Sequence, residues 1–579
     1  MTSRETFSLT SIHRFAVPDW GWTSKREIYD RLGSDAFIIV APGKNIVSVA
    51  DAEAISQITT RRVDFPKPID LYGSLDVFGK NVVSTEGAIW RHHRKICSPP
   101  FTERNNRVVW KESLQQARSM MAGWMGPDDE VSAPLYDVSD QAMRLSLHVI
   151  SRAGFDVGLT WPHEDGFIQE APPGHKLTFK DALTALLDNL LVVLIFPKWM
   201  MKWVPNKTLN ETHEAYVEWG QYMREMYVKK RDEVKSGEEG GGMDLMGALV
   251  RGAGFSAETK SDTPPTSPAE KMTSNPSLPK PTFNEEEILG NAFVFILAGH
   301  ETAANTIHFA CMFLAMHPSS QLRLQQDLDA LLGDRPSSEW SYDEDVPKLF
   351  GNMAGAVMNE ELRVLPPVVG IPKTTAHGST QSLNMNGQRY TIPEDSFISL
   401  SSPGLHRNPK YWPHTSPEDL NDFRPERWLL DEKTSGGHSS DEEEAAGEDG
   451  PDADGPDTRG DTSSTLFRPV KGSYVPFSDG YRSCIGRRFA QVEILAVLAT
   501  IFKTWSVELD VSMFLKAGET EENLSDARKK EVWTLADERA RELMRTGMGT
   551  IVTIQLRKGK VPMRFVKRGR ERFAGVCGK

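Results

Sequence analysis

Between Phe477 and Gly486 the chain reads Phe-Ser-Asp-Gly-Tyr-Arg-Ser-Cys-Ile-Gly, an F-x-x-G-x-R-x-C-x-G arrangement that runs straight into an apolar segment. Nothing else in the 579 residues restricts the fold as tightly. Five fixed positions of these residue types arise by chance in roughly one chain in ten thousand of this length. Gly480 and Gly486 flank Cys484 and let the backbone approach its sulfur closely. After Gly486, the spacing of Phe489, Ala490, Val492, Ile494, Leu495, Val497 and Leu498 predicts a helix. The positive end of its dipole and the arginines around it favour an anionic sulfur. Cys484 is thus a candidate thiolate ligand, set against the plainer reading of a structural cysteine in a turn.

The other three cysteines, Cys97, Cys311 and Cys577, are widely spaced and form neither a disulfide framework nor a C-x-x-C pair, which favours a reducing compartment. The formal net charge of −13 is local: Asp431–Thr465 carries 12 acidic and 2 basic residues, so the remainder is close to neutral. No Lys/Arg-rich run points to nucleic acid. Residues 1–36 contain no apolar run suited to a signal peptide or membrane anchor. The most apolar stretch, Ala182–Phe196, is interrupted by Asp188 and Asn189 and reads as a helix against the core or a membrane surface.

Helical periodicity dominates, over Glu112–Trp124, Ser139–Ala153, Glu211–Lys235, Glu285–Met316, Ser319–Leu332 and Leu349–Leu365. Strand-like runs are short: Phe37–Ala41, Ile46–Val49, Ser396–Leu400, Thr550–Leu556 and Pro562–Val566. The expectation is a mainly α fold with small β-sheets (α+β), one large domain over residues 37–567 and a tail at 568–579. Two segments, 252–281 and 431–464, lack the apolar residues that offset ordering entropy and read as disordered surface insertions.

The Cys484 segment resembles the heme-binding loop of cytochrome P450 enzymes, the family in which a cysteine thiolate holds heme iron. Other stretches resemble family motifs, in the family's order: Trp90-Arg-His-His-Arg94 (W-R-x-x-R), Ala298-Gly299-His-Glu301-Thr302 (A/G-G-x-D/E-T), Glu360-Glu-Leu-Arg363 (E-x-x-R) and Phe423-Arg-Pro-Glu-Arg427-Trp428 (P-E-R-F, with Trp in the last place). Leu405–Trp412 and Gly549–Arg568, the latter as a closing strand pair, also resemble family segments. The cytochrome P450 fold is the implied architecture.

The resemblance implies heme b as cofactor, with Cys484 as axial ligand and Phe477, Gly480, Arg482, Gly486, Trp90, Arg94, Ala298 and Gly299 around it. Arg482, Trp90 and Arg94 are expected at the propionates. Thr302 is expected to be the hydroxyl beside the reacting oxygen and Glu301 the relay of protons from solvent. Glu360, Arg363 and Arg427 are expected to form a structural network beneath the heme. Phe295, Ala298, Val368, Val369, Ile371, Leu71–Val83 and Gly547–Ile551 are expected to line an apolar pocket. Arg91, His92, His93, Lys95, Arg487 and Arg488 are expected to give a cationic docking face.

The implied reaction is insertion of one atom of O2 into a lipophilic substrate, as in secondary metabolism, with electrons from NADPH through a reductase and cytochrome b5 as a further donor. The family's usual N-terminal anchor is not seen, so the expectation is either peripheral contact with the cytosolic surface of the endoplasmic reticulum or a truncated chain. A heme-thiolate isomerase or dehydratase, or a non-catalytic heme-binding protein, would share Cys484 but have no need of the Glu301–Thr302 pair.

Overall fold

The computed structural model describes residues 19–41, 43–125, 131–164, 171–237, 245–255, 282–430, 462–550, 552–573 and 575. Most of both expected insertions, 256–281 and 431–461, and Cys577 lie outside these residues. The chain divides into two compact units: the first holds Met1–Pro68, Val109–Val149 and Gly299–Lys579, the second Ile69–Val108 and Ile150–Ala298.

The first unit contains the sheets. Strand β1 (Ala36–Ala41) pairs antiparallel with β2 (Lys44–Val49). The others in chain order are β3 (Gly370–Thr374), β4 (Gln381–Met385), β5 (Gln388–Ile392), β6 (Phe397–Ser401), β7 (Trp505–Leu509), β8 (Met548–Thr550), β9 (Ile554–Leu556) and β10 (Met563–Lys567). β2 runs parallel to β6, which pairs antiparallel with β3, so the four-stranded order is β1-β2-β6-β3. The remaining strands pair two by two: β4 with β5, β8 with β9, and β10 with β7. Helices Pro318–Leu332, Met353–Val364 and Arg487–Thr504 pack on one another, and every residue of Met353–Val364 is buried.

In the second unit the helix Lys207–Ser236 packs on Phe179–Asp188, Lys198–Trp203 and Leu245–Gly252. Phe78, Trp219 and Phe293 meet as a ring cluster, with centroids 4.7 to 5.5 Å apart. The helix Glu285–Met316 begins here with a capping box. Asn284 Oδ1 accepts from the Glu287 amide (2.8 Å), and Glu287 Oε2 accepts from the Asn284 amide (3.0 Å). The boundary between units falls within this helix, after Ala298.

The strongly periodic helices lie where the sequence places them, Glu285–Met316 among them. Three expectations need correction. Leu349–Leu365 is not one helix: it breaks at Gly351, and Asn352 caps a new helix by accepting from the Ala354 amide. Ala182–Phe196 likewise divides at Asn189 into Phe179–Asp188 and Leu190–Ile195. Thr550–Leu556 is not one strand: β8 ends at Thr550 and β9 begins at Ile554, while β10 joins β7 rather than its chain neighbours. Residues 568–573 pack into the fold: Arg568 pairs with Asp329 (2.6 Å), Arg572 with Glu508 (2.8 Å), and Phe573 is buried.

Candidate active site

The loop around Cys484 is tight because two residues take left-handed backbone conformations: Ser478 at φ 61° and Gly480 at φ 66°. Gly480 has no alternative, since a Cβ there would lie 2.4 Å from the Thr59 carbonyl oxygen. The Cys484 amide donates to the Phe477 carbonyl (2.8 Å) and closes the loop. Arg482 ends a short 3-10 turn, Gly480–Arg482, and is half-buried. Gly486 is the N-cap of Arg487–Thr504, so the cysteine stands just ahead of the helix's positive end.

Accessibility separates the cysteines. Cys484 is exposed, whereas Cys97 and Cys311 are buried in the protein. Burial pushes the Cys97 thiol well up and the Cys311 thiol up to about 12, which leaves both protonated and inert.

A second opening lies on the helix Glu285–Met316. From Ile288 to Met316 every residue is buried except Ala298, Gly299 and Thr302, which share one face by their spacing. An exposed cysteine sulfur ahead of a helix N-terminus, glycine-permitted backbone approach, and a gap in an otherwise covered helix beside a hydroxyl are what a heme site requires. The residues fit the group.

Glu360, Arg363 and Arg427 come together in one hydrogen-bonded group. Arg363 meets Glu360 through Nε–Oε2 and Nη2–Oε1, both 2.8 Å, and Arg427 Nε donates to Oε1 (2.8 Å). All three side chains have no solvent exposure. Burial alone would raise the Glu360 pKa, but the two guanidiniums outweigh it and hold the carboxylate below its ordinary value. The unusual Trp428 supplies its indole N–H to Glu360 Oε2 (2.8 Å), a bond that a phenyl ring cannot make.

His406 was not singled out from the sequence as a functional residue. Its Nδ1 donates to the Arg363 carbonyl (3.2 Å), and its Nε2 accepts from the Val475 amide (3.0 Å). That pattern requires the neutral ring, and burial, with Arg363 and Arg407 nearby, lowers its pKa to about 3. The imidazole therefore ties the E-x-x-R helix to the chain entering the cysteine loop. The available signal was a histidine between Leu405 and Arg407 in the segment Leu405–Trp412, which is weak without coordinates.

Glu301 is buried, and its Oε1 accepts from Gln555 Nε2 (2.5 Å) and from the Thr553 hydroxyl. In the first unit Val368 is exposed, and Val369 and Ile371 are half-buried. In the second, Trp90 and Arg94 lie one turn apart on Gly87–Cys97, and Phe295 is buried edge-on to Phe101 (5.8 Å). The expected cationic set is smaller than its sequence implied. His93 is fully buried, bonded to Asn291 (3.0 Å), with its pKa lowered by burial, and Arg487 is buried too.

The sequence model of the family described as Cytochrome P450 matches residues 34–530. The chain belongs to the cytochrome P450 family. A cytochrome P450 monooxygenase of Arthrobotrys oligospora is 29% identical over 522 residues, 89% of this chain and 82% of that one. Cytochrome P450 monooxygenase 124 of Postia placenta is 31% identical over 496 residues, 84% and 81% of the two chains. The phomenoic acid biosynthesis cluster P450 monooxygenase of Leptosphaeria maculans is 23% identical, over 88% and 84%. The crystal structure of the cytochrome P450DA heme domain shares the P450 fold, with TM-score 0.63, 18% identity and coverage of 96% and 95%.

Proposed function

We propose that this cytochrome P450 inserts one atom of O2 into a lipophilic organic compound of secondary metabolism, with Cys484 as the thiolate that would hold the heme iron and electrons from NADPH through a reductase. The observation that carries this reading is the exposure of Cys484, ahead of a helix N-terminus, in contrast to Cys97 and Cys311, which burial keeps protonated. When bound, the heme supplies oxygen activation, one atom passing to the substrate and the other leaving as water.

The chain's own residues do the rest. The loop from Phe477 to Gly486 fixes the sulfur, and the positive end of the Arg487–Thr504 helix favours its anionic form. Arg482, Trp90 and Arg94 are the residues that would hold the cofactor's carboxylates when it is bound. The Thr302 hydroxyl positions a proton donor at the gap in its helix, and Glu301 takes protons from solvent and passes them on. This acid–alcohol pair favours oxygenation over a peroxide isomerase, which needs neither group.

Replacing Cys484 with Ala should abolish the thiolate-type Soret band of the reduced carbon monoxide complex. Its retention would place the ligand elsewhere. Turnover of a lipophilic library with reductase, NADPH and isotopically labelled O2 should give products carrying one labelled oxygen by mass spectrometry.

A location at the cytosolic face of the endoplasmic reticulum is supported by one patch of the second unit. Leu191, Ile195, Trp199 and Trp203 are exposed, with Lys198 and Lys202 among them. Tryptophan and lysine together suit a membrane interface. Among the described residues no helix is long and apolar enough to cross a membrane. Replacing both Trp199 and Trp203 with Ser should release the protein from anionic vesicles in flotation.

A further inference from the structure

The Glu301 carboxylate is gripped from outside its own helix. Thr553, in the turn between β8 and β9, and Gln555, on β9, both donate to Oε1, and Asn305 Nδ2 donates to Thr553 Oγ1 (2.8 Å). The direction of these bonds follows from chemistry. A threonine hydroxyl has one proton, and a carboxylate competes for it better than an amide oxygen does. Asn305 must then present its N–H2, and Gln555 must present its own, because an amide oxygen would repel the carboxylate.

The turn is itself anchored. The Ile554 amide donates to the Pro367 carbonyl (3.0 Å), the Thr550 amide to Asp19 Oδ1 (2.9 Å), and Gln555 stands opposite Gly549 in register. These residues lie beyond residue 530, where the family match ends.

The grip distinguishes the two carboxylate oxygens. Oε1 has two donors, while Oε2 takes no hydrogen bond among the described residues. We propose that Thr553 and Gln555, aligned by Asn305, are positioning residues that clamp Oε1 of Glu301 and so present Oε2 as the oxygen that exchanges protons. In one cycle Oε2 takes a proton from a solvent water and gives it to the water or hydroxyl on the Thr302 side, which restores the carboxylate. The inference rests on the reading of Glu301 as proton relay.

The test uses the heme-loaded protein with reductase, NADPH and any compound it oxidises. Thr553→Val and Gln555→Leu should each raise the peroxide released per NADPH severalfold, and Thr553→Ser should restore wild-type values. Adding either substitution to Glu301→Gln should change nothing further. Thermal unfolding gives a readout independent of turnover: the Tm loss of Glu301→Gln with Gln555→Leu should fall short of the summed single losses by about 1–3 °C. Wild-type coupling in Thr553→Val and Gln555→Leu, with uncoupling in Glu301→Gln, overturns the clamp but keeps Glu301. Wild-type coupling in Glu301→Gln overturns the relay itself. If Thr553→Val fails to fold, Gln555→Leu and Thr553→Ser decide the matter alone.

Discussion

Two buried carboxylates show how differently one residue type is treated in this chain. Glu360 is ionised because Arg363, Arg427 and Trp428 direct donors at it. Trp428→Phe removes one of these and leaves an acceptor underused, which should lower stability by about 1–2 kcal/mol in denaturant unfolding while the carbon monoxide spectrum persists. Arg427→Ala strips one of the two guanidiniums from the buried Glu360 carboxylate, which keeps Arg363, and should cost about 1.5–3 kcal/mol, with loss of heme content. Glu493, on Arg487–Thr504, is in the opposite condition. Burial raises its pKa to about 8, an effect that the Ser146 hydroxyl only partly counters. The folded state therefore binds this proton more tightly than the unfolded chain, whose value is near 4.5. That contribution is intact below about pH 4.5 and is lost as pH rises through 8. Glu493→Gln should therefore raise Tm at pH 8.5 by several degrees and change it little at pH 5, as read by calorimetry.

Among the elements, the helix Glu285–Met316 carries the clearest division of labour, being covered almost throughout and open only at Ala298, Gly299 and Thr302. Thr302→Ala should leave heme binding unchanged while product per NADPH falls well below wild type and peroxide rises, measured by coupled NADPH and peroxide assays. This helix was legible in the sequence because apolar residues recur at three- and four-residue spacing along most of its length. Its neighbours were harder. The break at Gly351 depends on Asn352 preferring to cap a new helix, a choice that apolar spacing does not record. The run Thr550–Leu556 reads as one strand by its β-branched residues, yet it divides between β8 and β9, and Thr553 and Gln555 reach Glu301. The helix Asp526–Thr546 buries only Val532, Ala536 and Ala540, too thin an apolar stripe among its charges to stand out. Motif residues with a fixed spacing were readable, whereas His406 acts through backbone groups far away in sequence, which no local pattern encodes.

On the scale of the whole chain, the acidic stretch 431–461 enters and leaves at a closed neck. Leu429 and Leu466 form an antiparallel bridge, and the Phe467 amide donates to the Trp428 carbonyl (2.8 Å). The two ends are thus held together by residues that pack beside the Glu360 network, whatever lies between them. Replacing 431–461 with a short Gly-Ser linker should leave heme content and Tm within about 1–2 °C of wild type, because closure cost changes by only about 0.6 kcal/mol per doubling of length. Loss of heme on deletion would show that the acidic stretch itself supports the fold. A neck of this kind works as a port. Because Leu429 and Leu466 fix the exit geometry, a fluorescent protein, an affinity handle or a tethered electron donor could be spliced in between them. The guest would be carried at a defined point of the molecule while the termini stayed unencumbered.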